Sequence, residues 1–539
     1  MRREIDEYVW VLTNARKTAA DRRLRTVTGL GRALEVHPAQ VTRWEHGEVR
    51  PSDTTLRRYE ETLGLSPHRL GLPLAFLRRT RDRLGRSTRA LTPIEPDDRV
   101  RATDLLERAL GGEPMSGVDW LDLTDVLSRH DGVLLRERDW THLLSRLVLE
   151  LAVNRSVEYA ARWESATRIV GTPASAGALL TLAEAAVGEA EPMPFAEYAG
   201  LLQYSADPAA LALLTAQTLR PRTEDTQWAA IFALGAWAQD PRMVVGLRGG
   251  VLPVCVALLA DPDTTPRMLR AAGWLARSLD PEGAPHLARA LAARGADELA
   301  VTVVHSGAVR PDGLRVARAR EAATAIESAG LPGSSPMLLD LLDEALSSAD
   351  QETRGNALGA LMLLPQGVPV GRWLAARLQA AVRDADVAEG LDLLAGLAWL
   401  AQDADLPVLL ELLLDPATPV PLLWPLAKAF GNAASQPTGV DAAAPAGPPA
   451  DAPELPADWA ARVVTWASDA VARRGSAEGS TCAERSVSAA SYALGMRGEL
   501  AGLRRVAEVA GAPTSWSGSP QWWLRLPVAV RPSSGRPAA

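Results

Sequence analysis

The sequence predicts an all-α protein, with a unit of short helices at the N-terminus followed by a long α-solenoid of stacked helical hairpins. Three observations predict it. The alternation of aromatic and β-branched residues that marks strands is nearly absent from the 539 residues. Long segments are rich in Ala, Leu, Arg and Glu, and Leu143, Leu147 and Leu151 in the stretch Trp140 to Ile169 are spaced for one helix face. Asp-Pro recurs at Asp207, Asp240, Asp261, Asp280 and Asp415, each at a break between apolar segments, where proline cannot continue the preceding helix.

Taking the elements in order, residues 26 to 50 read as two short helices joined by a tight turn. Val27, Leu30 and Leu34 give the first helix one apolar stripe, and Val41 and Trp44 give the second a stripe at i, i+3 spacing. His37 and Pro38 open the second helix, because proline at the first helical position lacks only an N–H that would have no intrahelical partner. Gly47 is placed to end it. Gly31 falls where the two helices must cross, so its smallness has a packing reason. Glu35 stands at the turn position usually held by glycine, and a non-glycine residue at positive φ costs on the order of 1 kcal/mol.

These residues resemble the Cro/repressor-like, XRE-type helix-turn-helix family of bacterial and phage regulators over about residues 1 to 72. The most specific part is Val-Thr-Arg-Trp-Glu-His-Gly-Glu from Val41, followed by Arg50-Pro51-Ser52, Thr55-Leu56-Arg57-Arg58-Tyr59 and Leu63-Gly64-Leu65-Ser66. The resemblance implies a DNA-binding domain in which Pro38, Ala39, Gln40 and Arg43 occupy the groove-facing side of the recognition helix. It places Thr42 and Arg50, with Arg57 and Arg58, near the phosphates. Arg43 suits a guanine and Gln40 an adenine, since each can form a bidentate pair on the major-groove edge, and Ala39 suits a thymine methyl. Val27 departs from the family's frequent glutamine, which removes a polar contact from the first helix, and Lys17 to Arg25 is longer than the family's usual first connection.

Charge agrees with a nucleic-acid partner at this end. The chain carries a net charge of −8, yet residues 1 to 90 hold 19 of its 57 Arg and Lys residues and are strongly basic. Only Lys17 and Lys428 are lysines, which points to coding bias rather than chemistry.

A basic connector is expected over residues 73 to 100, with a helix around Pro73 to Leu84 and a break at Pro93 to Pro96. Residues 101 to 433 form the α-helical repeat region. Within it Thr226 to Asp240 pairs with Val251 to Ala260, Arg267 to Leu279 with Pro285 to Arg294, and Met337 to Ser348 with Glu352 to Leu364. The spacing of about 35 to 45 residues resembles the HEAT or armadillo type of solenoid, whose stacked pairs leave a long concave surface; tetratricopeptide pairs are the other option. Residues 434 to 457, rich in Ala, Pro, Gly and Asp, read as a flexible linker. C-terminal helices follow over 458 to 530, then a disordered tail over 531 to 539. Most of the 16 tryptophans, Trp237, Trp274 and Trp399 among them, fall in apolar stripes and read as core, whereas of Trp522 and Trp523 one is expected to cap the solenoid or meet a partner.

No chemistry is evident. Gly29-Leu-Gly31-Arg-Ala-Leu34 half-matches a dinucleotide loop but lacks the third glycine and a βαβ setting, and two lysines without a glycine-rich approach exclude a P-loop. Arg129-His130-Asp131 is a helix-end pair rather than a metal set, and Cys255 and Cys482 lie near no ligand pattern, as expected of reduced thiols in the cytoplasm. The apolar runs Val251 to Ala260 and Leu406 to Leu414 are shorter than a membrane span. The reading is a sequence-specific DNA-binding transcriptional regulator, not an enzyme, without cofactor or metal. Its expected partners are double-stranded DNA, a protein or small-molecule effector on the repeat surface, and a second copy in a homodimer; no membrane partner is expected. The alternative is a protein-interaction scaffold of stress or phage-defence type whose helix-turn-helix domain is an adaptor.

Overall fold

The computed structural model describes residues 2–81, 96–129, 135–188, 195–205, 207–434, 454–473, 476–510 and 519–531. Helices dominate, and among the described residues the extended pairings are two isolated bridges, Ala308 to Ser348 and Gln402 to Ala434.

Five helices build the N-terminal unit: α1 (Arg2–Lys17), α2 (Val27–Ala33), α3 (Pro38–Glu45), α4 (Asp53–Leu63) and α5 (Gly71–Arg81). The starts of α2, α3 and α4 are capped as their sequence dictates. Thr26 accepts from Gly29 N–H, the His37 ring from Ala39 N–H ahead of Pro38, and Ser52 from Thr55 N–H. Gly64, at φ 67°, ends α4 in the left-handed conformation that glycine adopts without strain. A short 3₁₀ turn, Arg22–Arg25, fills the long connection after α1. Leu12, Leu30, Val41 and Tyr59 meet in the core of the unit and are fully buried.

Beyond residue 96 the helices pack mainly on the helix one or two positions along, the pattern of a solenoid. The helices Phe195–Leu202, Glu224–Trp237, Pro266–Leu279 and Glu298–Ser306 form one row, and Gln351–Met362, Val387–Leu400, Val420–Asn432 and Ala477–Met496 form another. The Asp-Pro breaks work in two ways. Asp207 and Asp240 cap the helix that their proline opens, accepting from Ala209 and Arg242 N–H, whereas Asp261, Asp280 and Asp415 close the preceding helix. The stretch Trp140 to Ile169 is not one element, because Asn154 and Arg155 are extended and divide it into Glu137–Val153 and Ser156–Val170.

The expected concave surface is largely covered, because the two rows close on one another. The Tyr159 ring stands edge-on to Trp399 at 5.5 Å, Arg155 donates to the Gly431 carbonyl at 3.1 Å, Gln203 donates to Glu352 at 3.0 Å, and Arg270 pairs with Asp392. Polar and aromatic residues that would line an open groove are thus each other's partners.

One further expectation changes. The apolar run ending at Ala260 starts at Pro241, so this 20-residue helix is by length and composition long and apolar enough to cross a membrane. Its buried residues, Leu247, Val251, Cys255 and Leu259, form a single i, i+4 stripe packed on Pro266–Leu279, which is how a ladder helix behaves. At the other end Trp523 is 2 % exposed and sits where a Cβ on Gly495 would come within 2.1 Å of its ring system, so it closes the stack from within the chain. Trp516, His130 and Asp131, most of the 434–457 segment and most of the tail lie outside the described residues.

The stretch expected as a basic connector opens differently. Its part up to Arg81 is the body of α5, and α5 is packed into the repeat region against Gln351–Met362 and Ser156–Val170. Phe76 is 1 % exposed over Gly359, where a Cβ would lie 2.6 Å from the ring. Arg79, also buried, pairs with Glu164 and donates to Asn356 at 3.3 Å. Burial opposes the charge on Glu164, but Arg168 and Arg79 hold its carboxyl down to about 2. Residues 82–95 lie outside the described residues.

Candidate nucleic-acid interface

The recognition helix α3 is held from below by a buried ionic knot. Glu45 at its C-terminal end accepts two bonds from the Arg16 guanidinium of α1, at 2.6 and 2.7 Å, and a third from the Tyr59 hydroxyl of α4 at 3.2 Å. The hydrogen bond to Glu45 raises the Arg16 pKa further, and burial together with Glu45 pushes the Tyr59 hydroxyl upward, so Arg16 stays charged and Tyr59 neutral. One carboxylate therefore fixes α3 against two other helices. Glu45 was not among the sequence candidates; its signal is a charged residue one position after the buried Trp44, on the inner face of the helix.

The turn before α3 is equally constrained. A Cβ on Gly31 would sit 3.1 Å from both the Val36 carbonyl oxygen and Pro38 Cα, so α2 and α3 cross there as the sequence predicts. Glu35 adopts φ 56°, the left-handed conformation expected at this turn. Next to it Arg58 donates to the Leu34 carbonyl at 2.9 Å and lies 3.9 Å from the Glu35 carboxylate, which satisfies the end of α2 beside the strained residue.

Against this scaffold the expected DNA-contacting residues divide. Ala39 and Arg43 are exposed and Gln40 is half-buried, on the side of α3 opposite Val41 and Trp44. Arg43 lies 3.5 Å from Glu48, a loose exposed pair that leaves half of its side chain in solvent. Pro38 starts the helix, and the Thr42 hydroxyl donates to the Pro38 carbonyl at 3.3 Å, back along its own helix. Arg57 is exposed on α4. Arg50 and Arg58 are exposed and also bonded within the domain: Arg50 donates to the Tyr8 hydroxyl at 2.7 Å and lies 4.7 Å over that ring, bracing the α3–α4 loop to α1, and Arg58 closes α2 as described. Arg22, Arg23 and Arg32 are exposed beside α2 and add to the basic surface; the sequence reading passed over them because they belong to no motif position.

The domain meets the repeat region through other residues. Glu60, buried, accepts from His68 and Leu70 N–H at 2.9 and 2.7 Å and fixes the turn into α5; burial raises its pKa against the lowering effect of these bonds. From that turn the His68 ring reaches Asp122 at 3.3 Å, and Arg101 pairs with the same carboxylate at 2.5 Å. Docking through α5 and His68 leaves Ala39, Gln40 and Arg43 uncovered.

Among the described residues no group of His, Cys, Asp and Glu is placed to hold a metal ion. Cys255 is fully buried and burial pushes its thiol up to about 12, so it is not a nucleophile. No curated protein and no solved structure matches the chain. Residues 19–70 match the helix-turn-helix family model, and with the α2–turn–α3 geometry this makes the N-terminal domain a helix-turn-helix domain.

Proposed function

We propose that this protein is a sequence-specific DNA-binding transcriptional regulator acting in the cytoplasm, with a HEAT-like repeat region that takes an effector or a partner protein. The observation that carries this reading is the two-sided character of α3. One side is pinned by Glu45, Val41 and Trp44, and the other offers Ala39, Gln40 and Arg43 to solvent at the positions from which a recognition helix reads base edges. The exposed Arg57, Arg22, Arg23 and Arg32, with Arg50 and Arg58, supply the phosphate contacts. The bonds that Arg50 and Arg58 make within the domain favour a second reading, in which the domain is an adaptor in an interaction scaffold.

Arg43→Ala separates the two. On a selected binding site it should cost about 1–3 kcal/mol and relax selectivity at one base pair, while Arg57→Ala weakens all sequences alike and flattens the salt dependence. Equal affinity of wild type and Arg43→Ala for specific and random DNA in a competition titration would favour the adaptor. A single small domain covers one short half-site, so regulation through an inverted repeat requires a homodimer. With Trp523 buried inside the chain, the contact between copies must come from other surface.

A further inference from the structure

Residues of the helices Glu224–Trp237, Pro266–Leu279 and Gln351–Met362 line a small, partly open cavity of about 30 Å³ where the first row of the solenoid meets the second. Three arginines line it, and they are not equivalent. Arg267 pairs with Asp225 and lies 5.3 Å over the Trp228 ring. Arg270 pairs with Asp392, but its Nε–H is buried with no acceptor. Arg354 has no carboxylate within ion-pair distance among the described residues. Asp392, the carboxylate that acts on it, is already bonded to both Arg270 and Arg310, the latter at 2.8 Å. The acid in the cavity wall, Asp350, is occupied at the start of its helix, where it accepts from Glu352 and Thr353 N–H at 3.3 and 3.2 Å.

Burial, and after it the like charge of Arg270, pushes the Arg354 guanidinium down to about 10, with Asp392 opposing. It therefore stays charged at neutral pH and cannot escape its setting by losing a proton. A half-buried cationic group that lines a cavity beside another cation, with no ion-pair partner of its own among the described residues and a neighbouring buried N–H lacking an acceptor, is a site in want of an anion. Gln351 adds an amide from the same helix end. Donors arriving from Pro266–Leu279 on one side and Gln351–Met362 on the other suit an oxyanion with acceptor oxygens pointing in several directions.

We propose that this cavity is a binding site for a phosphate-class oxyanion, either inorganic phosphate or the phosphate group of a small phosphorylated metabolite, with Arg354 as its principal ligand and Arg270 Nε and Gln351 as supporting donors. The proposal rests on the cavity alone and stands whether or not the N-terminal domain reads DNA.

The test is isothermal titration of the full-length chain in phosphate-free buffer with inorganic phosphate, glycerol phosphate and chloride, run alongside thermal unfolding. Saturable binding of one of the phosphates, with a matching rise in melting temperature that chloride does not produce, is the expected result. The tighter of the two distinguishes a free oxyanion from a metabolite's headgroup. Arg354→Met should lower phosphate affinity at least 10-fold and, because it removes a half-buried charge that has no ion-pair partner among the described residues, should melt no lower than wild type without phosphate. A merely structural Arg354 would instead leave a less stable protein. Should Arg354→Met fail to fold, Arg354→Lys, which keeps the charge but loses the fork, should bind several-fold more weakly than wild type. Absence of saturable binding of both phosphates to wild type, or unchanged affinity in the variant that folds, would overturn the assignment.

Discussion

Glu45 shows what a single side chain decides in this domain. It is 7 % exposed and carries three hydrogen bonds from two other helices, so its removal leaves the Arg16 charge buried without a counter-ion. Glu45→Gln should cost about 3–5 kcal/mol, the usual consequence of breaking a buried pair from one side. Replacing Arg16 and Glu45 together by Met should cost much less, and urea unfolding of the three proteins would reveal the difference. A double variant as unstable as the single one would mean that packing rather than the orphaned charge sets the cost. The outward side chains of the same helix were legible in the sequence because the i, i+3 spacing of Val41 and Trp44 assigns Ala39, Gln40 and Arg43 to the other face. The bonds that Arg50 and Arg58 make within the domain were not. Their partners, the Tyr8 hydroxyl and the Leu34 carbonyl, lie 42 and 24 residues away, and no local spacing encodes such a contact.

Close approach of helices is what glycine provides at the scale of elements, and this chain allows a controlled comparison. Gly31→Val adds carbon where a Cβ already lies 3.1 Å from the Val36 carbonyl, so α2 and α3 must separate at an overpacking cost of about 1–3 kcal/mol. Gly249 lies inside the Pro241–Ala260 helix with open space around it, and Gly249→Ala should stabilise by roughly 0.5–1 kcal/mol through backbone entropy alone. Thermal melts of the two variants should therefore move in opposite directions. The helices themselves were readable because Asp-Pro breaks and capping residues are local signals. The closure of the two rows was not, since it depends on pairs such as Arg270 with Asp392, 122 residues apart, and Gln203 with Glu352, 149 apart. The docking contact at Asp122 has its own pH signature. Burial opposes its ionisation, but the His68 hydrogen bond, Arg101 and Arg57 outweigh it and hold the carboxyl below its ordinary range. A depressed carboxyl contributes stability above its unfolded value of about 4 and loses it as pH falls through the folded value. Limited proteolysis between the N-terminal unit and the Gly117–Arg129 helix should thus be unchanged from pH 7 to 5 and should rise below about pH 4. Asp122→Asn should abolish that acid step.

Across the whole molecule, one helix joins the candidate effector cavity to the helix-turn-helix unit. Gln351–Met362 presents Arg354 to the cavity at its first turn, and five residues further on Gly359 packs beneath Phe76 of α5, a rise of about 7 to 8 Å along one rigid element. On the way Asn356 accepts from Arg79, and Glu352 holds Gln203 and Tyr204 of the opposite row. An anion drawn between Arg270 and Arg354 would bias the position of this helix against the first row, and α5 would follow because Phe76 and Arg79 leave it no independent freedom. Linkage then sets a strict expectation. If phosphate changes the affinity for the selected DNA site by some factor, saturating DNA must change the affinity for phosphate by the same factor, of the order of 5- to 150-fold for couplings of about 1–3 kcal/mol. Fluorescence anisotropy of labelled DNA with and without phosphate, and phosphate titration calorimetry with and without DNA, measure the two sides of that cycle. Phe76→Ala, which removes the ring packed over Gly359, should reduce the factor toward one while leaving phosphate binding to the DNA-free protein intact. Equal DNA affinity at zero and saturating phosphate in the wild type would show that the helix transmits nothing between the two sites.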